Sequence, residues 1–433
     1  MSEDALLRVS GKISESLHND NLSAPATMRS GPGISSQLLD DLVNRTMPEV
    51  IRIRRQIHSH PELGFEERQT GALCAETLAS LGVEPMTGIA RTGVVGLLRG
   101  RGDGRTVALR ADMDALPIPE DTGLEFSSRV PGLMHACGHD GHVAILLGTA
   151  MVLSKLRDTF EGSVKFIFQP AEESLGGARE MIAQGVLDSP PVDGIFALHL
   201  WPDLSHGQIG VHHGPAMAAL DKVSITLRGR GGHVATPHKS SDAIVAASQL
   251  VLALQAIVSK ETDPVEPMVL SIGDFKAGRA YNAIADLAEL KGTVRTLDPA
   301  LRSVMPGLIE RKVKGIAESA GAEYDFEYTF GYPPVINDAR MAEFVRDVCS
   351  SILGPDKVAT MTKPSMVGED FAYYLEKVPG AMFLIGTGKA PGESTYPLHH
   401  SLFGFDEDVL RIGVRGMVEL VIDFLTRSWH SSG

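Results

Sequence analysis

The stretch Thr106-Val107-Ala108-Leu109-Arg110-Ala111-Asp112-Met113-Asp114-Ala115-Leu116-Pro117 frames the reading of the whole chain. Residues 106–110 have the composition of a buried strand, and they deliver two carboxylates, Asp112 and Asp114, at i, i+2. A strand that empties into acidic residues is the pattern of an α/β protein, which places its chemistry outside the carboxyl ends of its strands. The pattern recurs downstream. Residues 163–168 read as a strand ending at Gln169-Pro170-Ala171-Glu172-Glu173-Ser174, and Gly176-Gly177-Ala178 then opens a helix that must approach the sheet closely. Residues 194–200 read as a further strand, in which His199 interrupts an apolar run before Trp201-Pro202. A histidine there needs a partner or an ion, because an unsatisfied polar group in a core is costly.

Between these strands lies Leu133-Met134-His135-Ala136-Cys137-Gly138-His139-Asp140-Gly141-His142, one thiol and three imidazoles within eight positions. Cys and His are the donors that divalent transition metals prefer. In an extended segment Cys137 and His139 would point to one face, and Gly138 allows a tight backbone between them. The apolar run 143–156 that follows reads as a buried helix.

Working outward, residues 1–35 read as a poorly ordered leader ending in Ser30-Gly31-Pro32-Gly33. An amphipathic helix over 36–57 delivers His58-Ser59-His60-Pro61-Glu62-Leu63-Gly64-Phe65-Glu66-Glu67, and Pro61 should stop it before a second helix over 68–81. Residues 92–98 read as a strand joined to the 106–110 strand by a Gly-rich turn. From Gly214 the texture changes. The order strand 222–228, helix 242–258, strands 268–275 and 287–296, helix 301–320 and strand 323–330 is the split βαβ pattern of a ferredoxin-like sandwich. An inserted domain over 216–330 follows, dividing a catalytic domain into 36–215 and 331–433. The last part carries a helix over 339–353, the acidic pair Glu369-Asp370 opening a helix, a strand over 381–386, Pro397-Leu398-His399-His400-Ser401 and a closing helix over 407–425. There is no short-period repeat and no low-complexity tract. The fold class is therefore α/β, a mixed-sheet domain with helices on both faces plus an inserted α+β domain.

Composition narrows the function. The chain has 433 residues, 43% hydrophobic and 22% charged, with a formal net charge of -14. That balance disfavours a general partnership with nucleic acid or an anionic membrane, both of which require basic surface. Three cysteines, Cys74, Cys137 and Cys349, make an odd count that argues against a disulfide framework and fits the reducing cytoplasm. No signal peptide or transmembrane span is evident.

Cys137, His139, Glu173, His199 and His399 each end a strand, interrupt one or enter a helix, so a single sheet edge could gather them. The set exceeds what one four-coordinate zinc requires. The surplus points to two divalent ions sharing a ligand, about 3.5–4 Å apart, a layout suited to hydrolysis. Glu172, beside a ligand yet not needed as one, is the candidate general base.

These motifs resemble the M20 metallopeptidase/amidohydrolase family, most closely its M20D branch of hippurate, N-acyl-amino-acid and indole-acetyl-amino-acid hydrolases. The resemblance runs from about Ser36 to the end. It rests on His60-Pro61-Glu62-Leu63, the Arg110–Pro117 motif, Met134–Asp140, Gln169–Glu173, Gly231-Gly232-His233 and Gly368-Glu369-Asp370-Phe371. It implies metal ligands at Cys137, His139, Glu173, His199 and His399, a general base at Glu172, and two Mn or Zn ions per subunit, with Co and Ni as further candidates. It implies that Asp114 orients a ligand and that Asp112 stands where other branches carry a metal-binding histidine. The inserted domain resembles the family's dimerisation or lid domain, which implies a homodimer. There His233 would reach an active site, often the partner's, to polarise the scissile carbonyl, and Asn282 and Arg295 would hold a substrate carboxylate. Three positions depart from the family pattern: Ser174 replaces Gly, His399-His400 offers two histidines with His399 favoured, and Ala283-Ile284-Ala285 follows Asn282 in place of Val-Ile-Pro. The implied reaction is hydrolysis of an N-acyl or aromatic-acyl amino acid. Hydrolytic deamination of an aromatic amine at the same site, and a metal-free binding protein that has kept the fold, are the alternatives. Ammonia release would mark the first and absence of metal the second.

Overall fold

The computed structural model describes residues 34–173, 176–388, 396–427 and 429. The expectations for residues 1–33 and for Ser174 fall outside this set. Ile34, within the expected leader, is already buried in the main core, and Ser35 caps the first helix by accepting from the Leu38 amide.

An eight-stranded mixed sheet forms the larger part, in the order Pro85–Ile89, Gly93–Arg99, Ser163–Gln169, Thr106–Asp112, Gly194–Ser205, Gly380–Gly388, Ile209–His212, Val358–Met361. The four strands from Ser163–Gln169 to Gly380–Gly388 are parallel, so their carboxyl ends open on one edge. Their side chains alternate between two cores. Val107, Leu109, Phe166, Phe168, Phe196 and Leu198 face one core, against the helices Ser36–His58, His139–Lys155, Ala339–Leu353 and Asp408–Thr426. Ala108, Ile167, Ile195, Ala197 and Trp201 face the other, against Gly177–Ala183 and Ala372–Leu375. Arg110, Asp112 and His199 fall on this second face by the same two-residue period.

A four-stranded antiparallel sheet, ordered Met268–Ala277, Leu287–Thr296, Leu220–Arg228, Glu323–Tyr332, forms the smaller part. Helices Ala243–Ala256 and Pro299–Ala320 cover one face through Leu250, Leu254, Ile309 and Val313. This is the ferredoxin-like arrangement. Its sheet starts at Leu220, because Ala216 and Met217 still pack in the second core of the larger part. The strands Pro85–Ile89, Ile209–His212, Gly214–Met217 and Val358–Met361 were not anticipated. They are short, and two of them lie at the sheet's edges, where alternation is weak.

Candidate active site

The strand Thr106–Asp112 runs two residues past its expected end, and Asp112 and Asp114 are buried rather than solvated. Cys137 and His139 do not lie in an extended segment. Gly138 has φ +88, and His139 starts a helix, so a left-handed turn aims both donors into the same space.

Five sets of three donor atoms lie within 4.8 Å of one another among the described residues: Cys137, His139, His199; Cys137, Glu173, His399; His139, Glu172, Glu173; Asp112, His139, His142; and Glu172, Glu369, Asp370, of which the first two carry the thiol. Cys137 belongs to both. Cys137 Sγ is 3.6 Å from His199 Nε2, and His399 Nε2 is 3.1 Å from Glu173 Oε1. His139 Nδ1 lies 2.8 Å from the Asp114 carbonyl and His199 Nδ1 2.7 Å from the Leu200 carbonyl. A ring N–H must donate at both contacts, so in the neutral ring each Nε2 would carry the lone pair and face the centre. His139 Nε2 is buried with no hydrogen-bond partner among the described residues. His142 is committed elsewhere, with Nδ1 2.7 Å from Asp112 and Nε2 accepting from the Leu200 amide. His400 turns away and stacks on Tyr396. His399 sits at φ +64 with its amide bonded to the Ala136 carbonyl, a strained backbone that fixes it beside Cys137.

Glu172 and Glu173 are pinned through their backbones. The Ala171 amide donates to Glu67 at 2.8 Å, and the Glu172 and Glu173 amides donate to the two Asp114 carboxylate oxygens at 3.0 and 2.9 Å. Ala171 itself has φ +56. The Tyr332 hydroxyl donates to the Glu172 carbonyl at 2.6 Å. Gly177 is needed for closure, since a Cβ there would lie 1.8 Å from the Pro170 carbonyl oxygen. Asp114 thus orients the acidic loop with its carboxylate and His139 with its carbonyl.

Beneath the loop, the buried Arg110 guanidinium donates to Gln169, Asp112, Glu369 and Asp370 at 2.6–2.9 Å. Burial pushes the Glu172 carboxyl well above the usual range, and the charges of Glu369, Glu173, Asp370 and Asp114 push it further. Burial also tends to raise Glu173, but its His399 hydrogen bond and the His139 charge outweigh this and leave it lowered. Burial, then the surrounding carboxylates, raise the Cys137 thiol. Burial lowers His139, yet Asp112 and Asp114 override it and bring it up to about 10. An imidazole drawn to bind a proton this tightly lies in a strongly negative field, the kind that also draws metal cations.

A cavity of about 320 Å³ opens over this floor, lined by Cys137, Glu172, Glu173, His199, Glu369, His399 and, from the smaller sheet, Arg295. Four anticipated residues do not line it: Asp114 and His139 lie buried beneath the floor, and two others are remote from it. His233 and Asn282 are exposed in the smaller part, side by side, because Gly232–His233 pairs with Ala283–Ile284. The roles of Glu67 and Tyr332 escaped sequence reading. A buried carboxylate that binds a backbone amide leaves no periodic signal.

Residues 108–423 match Peptidase family M20/M25/M40. The chain belongs to that family. It is 50% identical over 297 residues to the N-acyl-L-amino acid amidohydrolase of Geobacillus stearothermophilus, covering 68% of this chain and 80% of the relative. It is 41% identical over 374 residues to the N-acetylcysteine deacetylase of Bacillus subtilis, covering 86% and 96%. Among solved structures, the YXEP protein of Bacillus subtilis, described as a dinuclear metal binding peptidase from the M20 family, superposes with a TM-score of 0.78. Identity is 38%, covering 88% of this chain and 99% of that one. The M20 member found here has the mixed-sheet fold and the acidic, thiol-bearing site of a hydrolase.

Proposed function

We propose that the protein is a metal-dependent amidohydrolase that cleaves an N-acyl amino acid into a carboxylic acid and an amino acid. The observation that carries this is the buried, unpartnered His139 Nε2 beside a thiol that two donor sets share. Cys137, His139, Glu173, His199 and His399 would hold two divalent ions, Mn or Zn. These soft and borderline donors fit such ions. When bound, the ions acidify a water molecule and polarise the amide carbonyl. Glu172 takes the proton from the attacking water and delivers it to the leaving nitrogen, a task its raised proton affinity suits. Asp114 holds Glu172 and Glu173 in register. Arg295, half-buried at the cavity wall, binds the substrate carboxylate.

The catalytic domain is read as 36–215 with 331–433, and 216–330 as the domain that mediates homodimerisation. Support comes from helix Ala243–Ala256, whose outer face exposes Ile244, Val245 and Leu252, next to the unpaired edge strand Met268–Ala277 with Val269 and Phe275. The apolar span Ala243–Glu261 is long enough to cross a membrane, but its inner side, Ala246, Ala247, Leu250 and Leu254, is packed on the sheet. His233 and Asn282, exposed at neighbouring short strands and away from this chain's own cavity, are free to serve a second copy. Buried free thiols at Cys74, Cys137 and Cys349 support a cytoplasmic location. Metal analysis with turnover of hippurate and N-acetyl amino acids by the parent and Glu172→Gln tests the reading. Bound metal, and turnover lost in the variant with its fold kept, are expected. A metal-free protein, or a variant of near-parental rate, refutes it.

A further inference from the structure

The cavity over Glu172 is small, about 320 Å³, near the lower end of the ~300–1,000 Å³ typical of ligand pockets. A second cavity of about 620 Å³ adjoins it and shares Leu220, Arg295 and Tyr332. One wall is the helix-free face of the four-stranded sheet. Lys222 lies beside Thr293, and Lys291 beside Ser224, on the exposed side of their alternating strands. The opposite wall, from the larger part, brings Arg179. None of Arg179, Lys222, Lys291 and Arg295 makes an ion pair among the described residues. The only carboxylate in this lining, Asp274, is bonded to Lys276 at 2.9 Å. A chain of net charge -14 therefore gathers four cations without a salt-bridge partner around one cleft, with a single carboxylate, Asp274, across the ladder from Lys291.

The polarity runs in one direction. Glu172, Glu173 and Glu369 line the inner cavity, Arg295 stands at the junction, and Lys222, Lys291 and Arg179 lie beyond it. A small N-acyl amino acid fills the inner cavity and leaves the outer one without a task. With the α-carboxylate on Arg295, the outer cations face whatever extends from the amine side of the scissile bond. We propose that the preferred substrate carries a second carboxylate on its amino-acid side, as in an N-acyl acidic amino acid, and that Lys222, Lys291 and Arg179 select it. This rests on the amidohydrolase reading above.

The test is a matched series, N-benzoyl-glutamate, N-benzoyl-glutamine and N-benzoyl-glycine, turned over by the metal-loaded enzyme. Exposed ion pairs contribute modestly each, so several acting together should favour glutamate over its isosteric amide by about tenfold in kcat/KM. The preference should fall toward one in a Lys222→Ala/Lys291→Ala double variant and invert in Lys291→Glu. It should persist in Arg228→Ala, which removes a cation at the far end of the same sheet, paired with Asp325. Turnover of the glycine compound with no glutamate preference, or an equal loss of preference in Arg228→Ala, overturns the inference and leaves amide hydrolysis standing. No turnover of any of the three overturns both.

Discussion

Raising the pH just above neutrality should weaken the protein through one imidazole, His58. It is 1% exposed, with Nδ1 2.9 Å from Asp140 and Nε2 3.2 Å from Glu120. A ring bonded to carboxylates at both nitrogens carries both protons. Burial pulls its pKa down, but the Asp140 charge and the two carboxylate bonds prevail and raise it from 6.5 to about 8. The folded state thus binds this proton more tightly than the unfolded chain. The resulting stability is complete below about pH 6.5 and is lost as pH rises through about 8. The gap corresponds to about 2 kcal/mol. Glu120, held down to about 2, stays ionised throughout, so His58 is the member of this cluster that changes. Urea unfolding of the parent and His58→Gln at pH 6 and pH 9 isolates the effect, because other groups cancel in the difference. The parent's advantage should be about 2 kcal/mol larger at pH 6 than at pH 9. An advantage independent of pH would show that His58 does not hold its proton through these carboxylates. Arg54 donates to the same Asp140, at 2.8 Å, so the loss would fall on the contact between the first helix and the start of the His139 helix.

Asp114→Asn keeps one acceptor oxygen and loses the other, so either the Glu172 or the Glu173 amide goes unpaired. A charged acceptor bond is worth about 1.5–3 kcal/mol, and kcat should drop by about 10–100-fold with KM little changed; a change in KM alone would refute the positioning role. Arg110→Met strands Asp112, Glu369 and Asp370 around a missing cation and should cost about 3–5 kcal/mol in thermal melts, with no rescue by Lys, which lacks the planar fork; a melt within a degree of the parent's would refute this. Calorimetric binding of a product carboxylate should be measurable only after metal is added, and equal binding by chelated protein would refute that order.

Periodicity made the central strands, the split βαβ order and the long helices legible, since each buries a face with a fixed repeat. Leu287–Thr296 and Ala339–Leu353 were expected to the residue. The donor cluster was legible because the parallel strands share an edge. Its supports were not. Glu67 and Asp114 act on backbone amides, Tyr332 reaches Glu172 from the end of the strand Glu323–Tyr332, and Arg110 reads as one cation in an apolar strand. Such contacts depend on three-dimensional placement rather than on composition. The extended reading of Cys137 and His139 failed for a local reason, the left-handed Gly138.

The charge of the floor argues for the order in which the site must fill. Asp112, Asp114, Glu172, Glu369 and Asp370 crowd one buried region beside the partly exposed Glu173, and among the described residues Arg110 is the only guanidinium bonded to them. A substrate carboxylate approaching that surface meets repulsion from the acids whose proton affinity is lowered, Asp112 and Glu173, in a low-dielectric setting where charges act strongly. Arg295 at the rim offsets part of it. Two divalent cations would reverse it, and would also stabilise Cys137 as thiolate, against the burial and carboxylate charges that now keep its proton on. The acids that make the cradle attractive to cations thus make it unfit for an anionic substrate until cations arrive. The separate cationic wall outside, carried on a different sheet, draws the substrate's anionic end away from that floor and leaves the amide over Glu172.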